Sequence, residues 1–411
     1  MITRRGALLA FSAVGLWGVG RFLGVAEFYV IAAAALALVA GAVIAVRVST
    51  ANVSVRRHLA PARILWGGTG DVTLDLRNDA RVPASLLLVE DSCHMLLAPT
   101  PRFIVPGLGA GRTTTLRYSL AGSARGRYTV GPMRLRVRDP FGLAQRIRRY
   151  RGTDEAVVYP HIEPLEDSPA PGMRTGSGSS AIRRLFNTGD EFYTMREYVT
   201  GDDLRQVHWP STAHREKLMV RQQEQPWEAE ATVFCDLRHS AHRHLGPHSP
   251  LEKCVSLAAS LVWHLADDGF TLRLMTDADS RSPGVQPWAQ ILDRLAEVEP
   301  SQERALSPAL QRLRGGSGEG LFAAVVATPP GEEPVARHPD VRALLQAGRG
   351  FHGRLALIVV GGRGDRGTET AAMLRSAGWR AATITPAQTL ASCWRTIGGG
   401  RRPAPAYQPG A

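Results

Sequence analysis

The sequence predicts a membrane-anchored chain of mixed class, α+β followed by α/β: two N-terminal transmembrane helices, a small β-sandwich and a larger parallel-sheet domain. Three observations predict it: an uncharged apolar opening, a stretch of period-two alternation after it, and a C-terminal half in which apolar strands alternate with amphipathic helices. The boundaries that follow are 1–50 for a helical hairpin, 51–160 for the sandwich, 161–228 for a linker and a polar signature segment, 229–397 for the α/β domain and 398–411 for a disordered tail.

The hairpin comes first. Gly6 to Gly20 and Phe28 to Val46 carry no charge, close to the ~20 residues that a bilayer core requires. The first run is short unless Arg21 snorkels to the headgroups, which a position near a helix end allows. Arg4 and Arg5 precede the first run and Arg47, Arg56, Arg57 and Arg63 follow the second, whereas the connection holds only Arg21 and Glu27. This asymmetry places both ends and the soluble body on the cytoplasmic side of the cell membrane, as a two-pass protein. A cleaved signal peptide is the alternative, and the second span argues against it.

From Val53 to about Tyr150, runs such as DVTLDLRNDA, ASLLLVEDS and TTTLRYSLA alternate apolar and polar residues between Gly, Pro, Asn and Asp, the pattern of antiparallel strands in a small sandwich. Arg125 to Asp139 reads as one strand bearing Tyr128, Val130, Met133, Leu135 and Val137 on one face, with a bulge at Gly131-Pro132. Pro164 to Ser180, rich in Pro, Gly and Ser, reads as a linker. After Ala229 the segments ATVFCDLR, FTLRLMTD, LFAAVVAT, LALIVVGG and WRAATIT are strands, separated by helices over 250–267, 287–298, 341–347, 370–377 and 388–397. Continuous apolar strands of this kind belong to a parallel sheet covered on both faces.

Net charge is +12, but the arginines are spread over every segment and are not interleaved with aromatics. Attraction to anionic lipid headgroups accounts for them without nucleic acid as a partner. Cys93, Cys235, Cys254 and Cys393 stand far apart and suit reduced core residues in a cytoplasmic body. Gly361, Gly362 and Gly364 do not form a dinucleotide fingerprint and no Walker A lysine is present, so no cofactor is expected.

Chemistry concentrates in residues 189–224, GDEFYTMREYVTGDDLRQVHWPSTAHREKLMVRQQE. Gly201 permits a tight turn, and Asp202 and Asp203 can cap backbone amides or pair with Arg196 or Arg205. With Glu197, Tyr198, His208 and Trp209 this reads first as an ion-paired structural knot, then as a docking surface. Spacing identifies no nucleophile with an orienting partner. The same residues, with Ser211 and Lys217 to Arg221, resemble the signature of the domain-of-unknown-function 58 family. Upstream, Arg125-Gly126-Arg127-Tyr128, Gly131-Pro132 and Asp139-Pro140-Phe141-Gly142 are similar to the strand and turn that precede it. Ser211-Thr212-Ala213-His214 departs from the usual serine, alanine and basic residue. The resemblance implies a membrane protein often encoded beside a MoxR-type AAA+ ATPase and a transglutaminase-like protein, with a C-terminal domain similar to von Willebrand factor A, and implies no established reaction.

That likeness directs attention to Asp236-Leu237-Arg238-His239-Ser240, where an adhesion-type metal site would begin D-x-S-x-S. Asp236 and Ser240 match; Arg238 replaces a ligand hydroxyl with a cation, which is hostile to Mg²⁺. A degenerate site with no metal is expected; Asp277 and Asp279 could approach the same sheet end, but they read first as a solvated loop. His239, His242, His244 and His248 read as a polar loop rather than a zinc site. The function expected is therefore a membrane-anchored scaffold or adaptor that presents this domain to cytoplasmic protein partners, with a hydrolase of cell-envelope metabolism as the alternative.

Overall fold

The computed structural model describes residues 2–49, 53–84, 86–165, 193–198, 207, 209, 212–213, 217–223, 230–242, 246, 248–281, 284–313, 320–361 and 366–397. The chain divides into two compact units, Met1–Tyr159 and Pro160–Ala411.

The first unit opens with α1 (Arg4–Leu23) and α2 (Ala26–Ser49). Thr3 caps α1 by accepting the Gly6 amide on its hydroxyl, and Gly24, at φ 72°, closes it, a conformation glycine adopts without a Cβ penalty. Both helices are long and apolar enough to cross a membrane. Ten strands follow: β1 (Val53–Ala60), β2 (Arg63–Ile64), β3 (Thr69–Asn78), β4 (Leu86–Asp91), β5 (Arg102–Val105), β6 (Thr113–Ala121), β7 (Gly126–Val130), β8 (Met133–Arg138), β9 (Gln145–Tyr150) and β10 (Asp154–Val158). They form sheets in the orders β1-β3-β6, β2-β10-β7 and β5-β4-β8-β9. Alternation delivers Val72, Leu74 and Leu76 of β3, Leu87 and Val89 of β4, and Leu135 and Val137 of β8 to one core.

Gly131-Pro132 is not a bulge within one strand. It is a corner where the chain leaves the β7 sheet for the β8 sheet, built on a cis peptide and a Gly131 φ of 104°. Proline cannot donate to a ladder, so pairing stops there. Tyr128, Val130, Met133, Leu135 and Val137 still reach the same core. The Tyr128 hydroxyl donates back to Ala124 O at 3.0 Å and Arg125 O at 3.1 Å, locking the entry to β7. Across the sandwich, Arg57 donates from Nε and Nη2 to both oxygens of the buried Asp91, and from Nη1 to Val130 O, Gly152 O and Asp154. Tyr118 donates to the same Asp91 at 2.7 Å. Burial, and then the Asp91 carboxylate, push the Tyr118 phenol well above its ordinary range.

In the second unit, β11 (Tyr193–Glu197) and β12 (Met219–Gln223) form an antiparallel pair. Strands β13 (Glu230–Cys235), β14 (Thr271–Thr276), β15 (Leu321–Ala327), β16 (Gly353–Val359) and β17 (Arg380–Ile384) form a five-stranded parallel sheet in the order β14-β13-β15-β16-β17. The intervening helices are α3 (Pro250–Asp267), α4 (Trp288–Glu297), α5 (Ser307–Arg312), α6 (Pro339–Ala347), α7 (Arg366–Ser376) and α8 (Leu390–Ile397). Ser249 caps α3 through the Glu252 amide, with Pro250 in its first turn, where a missing N–H costs nothing. Phe234, Met275, Phe322 and Ile358 pack on one side of the sheet with Leu310, Leu344 and Leu374 of α5, α6 and α7. Side chains alternate along a strand, so Val233 and Cys235 face the other side, where α3 lies on β13 and β15. From β13 the chain runs out to β14 and returns past β13 to β15. The winding reverses between β13 and β15, and the crevice outside their C-terminal ends is where open α/β sheets bind ligands.

Candidate functional site: a guanidinium in the sheet crevice

Asp236 follows the last residue of β13 and sits in that crevice. Its amide donates to Val325 O at 2.9 Å, and its Oδ2 accepts the Ala327 amide at 3.2 Å, so it bridges the two strands at the reversal. Arg238 turns back onto it: Nε donates to Oδ1 at 2.9 Å, Nη2 to Oδ2 at 2.9 Å and the Arg238 amide to Oδ1 at 3.2 Å. Nη1 reaches Asp340 Oδ2 at 2.7 Å and Arg304 O at 3.3 Å. Asp236 and Arg238 are 0% exposed and Asp340 3%. Burial alone would lower the arginine pKa, but the two carboxylates outweigh it and raise it.

Asp340 stands in the first turn of α6, where a carboxylate suits the helix dipole. Its Oδ1 accepts the Leu306 amide at 2.9 Å. His338, just before α6, donates from Nε2 to Pro330 O, leaving Nδ1 to accept the Asp340 amide at 3.3 Å. His242 donates from Nε2 to Asp236 O at 2.9 Å, and its Nδ1 is buried without a partner. Asp277, beyond β14, accepts the Leu237 amide on Oδ1 at 2.6 Å. Its Oδ2 is buried without a hydrogen bond of normal geometry, although the Ser301 hydroxyl is close enough to favour the charged form. Burial, the larger effect, pushes the Asp277 carboxyl up. Asp279 is held by the Thr276 amide and by Arg294.

A carboxylate offers about four lone-pair positions. At Asp236 these meet the Arg238 amide and Nε on one oxygen, and Arg238 Nη2 and the Ala327 amide on the other. The carboxylate is thus satisfied entirely within the protein, three of its four positions by Arg238. Ser240, the second residue of the degenerate pattern, is exposed in the turn that follows and is not part of the cluster. Asp277, expected in a solvated loop, is instead buried at the Asp236 end of the sheet, where it accepts the Leu237 amide. Among the described residues, no group of three or more His, Cys, Asp or Glu could hold a metal ion. His239 and His248 are exposed, and His244 lies outside the described residues.

Of the signature residues, Arg196 and Glu197 end β11, paired with Val220 and Met219 of β12. Tyr198 continues the ladder through its amide to Leu218 O at 2.8 Å. Thr212 accepts the Met219 amide at 3.0 Å, Val207 is buried and Trp209 is 69% exposed. Gly201, Asp202, Asp203, Arg205 and His208 lie outside the described residues.

A second polar cluster had no motif to announce it. Glu163 accepts Lys253 Nζ at 2.5 Å on Oε1 and the Leu390 amide at 2.6 Å on Oε2. Its own amide donates to Ser260 Oγ, and His264 donates to its carbonyl. Residues 160–165 are thereby fastened to α3 and to the start of α8.

Residues 194–360 match the family model described as "Protein of unknown function DUF58". An "Uncharacterized protein YeaD" of Bacillus subtilis (strain 168) is 24% identical over 225 residues, 52% of this chain and 53% of that protein, so the match spans about half the length of the curated relative. Among solved structures, the CARDB domain of the PF1109 protein from Pyrococcus furiosus shares 12% identity at a TM-score of 0.20 over 26% of this chain and 87% of its own. A fragment of Escherichia coli alpha-2-macroglobulin shares 22% identity at a TM-score of 0.22 over 26% of this chain and 17% of its own. Likenesses at that level say nothing about what this chain does. The stretch that the family model matches, residues 194 to 360, holds the crevice and the described part of the signature.

Proposed function

We propose that this chain is a membrane-anchored scaffold whose second unit is a von Willebrand factor A-like domain with a self-neutralised metal position, presented in the cytoplasm to a MoxR-type AAA+ ATPase. One observation carries the reading: the Arg238 guanidinium fills the crevice at the β13–β15 reversal and satisfies Asp236 and Asp340 with no exposed surface. A site for chemistry needs a space beside its reactive groups, and here that space holds the protein's own cation. Anchoring is supported by the apolar lengths of α1 and α2, and the cytoplasmic side by Arg4, Arg5, Arg47 and Arg56 at the outer ends of the hairpin.

The partner surface is assigned to the signature segment around Trp209, because an exposed tryptophan is costly in water and is the residue type that most often dominates an interface. The test uses the full-length protein in lipid nanodiscs and a purified MoxR-type ATPase. Trp209→Ala weakens binding by about tenfold or more, the size of a hot-spot loss, with the melting temperature unchanged. Binding unaltered by Trp209→Ala refutes this surface. Turnover of a cell-envelope substrate that survives Trp209→Ala replaces the scaffold with the hydrolase.

A further inference from the structure

The turn between β8 and β9, Asp139 to Ala144, is bound to the helical hairpin. Thr3, the cap of α1, donates from its amide to Leu143 O at 2.8 Å and from its hydroxyl to Gly142 O at 2.6 Å. A side chain at Gly6 would collide with the Leu143 carbonyl. Leu143 and Ala144 are buried against Val39, Ala42 and Val46 of α2, with Leu9 of α1 packed on the same cluster. Arg146, two residues beyond, donates to Arg47 O at 3.4 Å. Arg47 is the first charge after the apolar run of α2. Val39 lies eight residues above it, about 12 Å along the helix, and Leu9 lies four residues above Arg5, about 6 Å. The turn therefore rises along the hairpin from the level of the charged residues into that of the apolar ones.

Irregular backbone survives at such a depth only if its polar groups are satisfied. Asp139, 2% exposed, accepts the Phe141 amide on Oδ2 and the Ala144 amide on Oδ1, and its carbonyl accepts the Gly142 amide. The Asp139 amide donates to Ala144 O, Pro140 has no N–H, and the Gly142 and Leu143 carbonyls are taken by Thr3. Asp139 and Thr3 thus meet most of the turn's backbone groups, and Phe141 at its tip is 65% exposed. Arg138 and Arg146, which flank the turn, are exposed on β8 and β9, and Arg146 reaches the Arg47 carbonyl.

We propose that the Asp139–Ala144 turn is a further point of membrane attachment, with Phe141 entering the lipid interface beside the hairpin while Arg138 and Arg146 meet anionic phosphates. This rests on the reading of α1 and α2 as membrane spans. Phe141 contributes apolar burial at the level where amphipathic segments enter the acyl boundary. The arginines add attraction that depends on anionic lipid and weakens with salt. Together they add to the grip that the hairpin already has on the turn.

The experiment places the photoreactive phenylalanine analogue p-benzoylphenylalanine at position 141, and separately at Ile31, in the second turn of α2. The full-length protein is reconstituted in phosphatidylcholine vesicles with or without phosphatidylglycerol, irradiated and read by peptide mass. Lipid-mass adducts are expected at both positions. Those at 141 rise with phosphatidylglycerol and lose that rise in the Arg138→Glu, Arg146→Glu double variant. Lipid adducts at 31 with none at 141, or with a protein-mass adduct at 141, overturn this proposal and leave the spans standing. Absence of lipid adducts at 31 refutes the spans, and the attachment falls with them. The position-141 result in otherwise unaltered protein decides the matter even if the double variant misfolds.

Discussion

Each unit buries a guanidinium on an aspartate, and the two pairs do different work. Arg57 in the sandwich gathers segments far apart in the chain: Asp91 at the end of β4, Val130 at the end of β7, and Gly152 and Asp154 at the start of β10, with Tyr118 of β6 joining at Asp91. It works as a staple at a place where a sandwich edge would otherwise leave carbonyls unmet. Arg238 is only two residues from Asp236 and adds one distant partner, Asp340. It fills a crevice that the winding of the sheet creates whether or not anything occupies it. A staple is replaceable by anything that holds strands together, whereas a plug occupies the position a ligand would use.

The largest effect expected from breaking that contrast is at Arg238. Arg238→Ala leaves Asp236 and Asp340 buried without their cation, a loss of about 3 to 5 kcal/mol. For a domain of this size that lowers the melting temperature by about 6 °C or more, read by calorimetry on the full-length protein. Arg238→Ser should be destabilised as well, and Mg²⁺ or Mn²⁺ should restore part of its melting temperature by binding the native state. Wild-type protein should show no such response. A serine variant indifferent to both ions would mean that the crevice is a structural pocket only and that the plug displaces nothing.

The staple gives a smaller effect with no ligand dependence. Tyr118→Phe removes one hydroxyl from Asp91 while Arg57 keeps both carboxylate oxygens occupied. Because Tyr118 is only half-buried, the loss should be near the low end for a hydrogen bond to a charged group, about 1.5 kcal/mol. Denaturant unfolding followed by a probe in the sandwich checks it. A loss as large as that of Arg238→Ala would show that the hydroxyl, rather than the guanidinium, closes the knot.

The hairpin and the parallel strands were legible in the sequence because one period or one composition fills each element: Phe28 to Val46 has no charge, and all of Leu321–Ala327 is apolar and buried. The Gly131-Pro132 corner was not, since a bulge and a change of sheet leave the same alternation on either side. At the candidate site, the likeness to von Willebrand factor A singled out Asp236 and marked Arg238 as a misfit to its pattern. It also promoted Ser240, which the turn carries to the surface. Asp340 was illegible because it approaches Arg238 from 102 residues away, with nothing local to single it out. Glu163 reads as part of a proline-rich linker, and only the position of Lys253 and Leu390 makes it a buried anchor.

The smallest effect expected lies at the rim of the plug. Asp277 has one oxygen on the Leu237 amide and the other buried without a hydrogen-bond partner, while the Ser301 hydroxyl favours the charged form. Burial, the leading influence, raises its pKa in the folded protein. A raised carboxyl holds its proton to higher pH when folded than when unfolded, so the folded state binds more protons in the interval between the two pKa values. Stability accordingly falls as pH rises through that interval, and the deficit persists at neutral pH. Asp277→Asn keeps an oxygen for the Leu237 amide, supplies an NH₂ that can donate to Ser301 Oγ, and removes the buried charge. The variant should melt higher than the wild type at pH 7, by about 2 to 4 °C for each kcal/mol of charge burial that it relieves. The difference should shrink as the pH is lowered towards 4 and below, where the wild-type carboxyl is protonated as well. Calorimetry at pH 4 and pH 7 measures both. An Asn variant that melts lower at pH 7 would mean that the charge itself is needed there, as a third counterion to Arg238 beside Asp236 and Asp340.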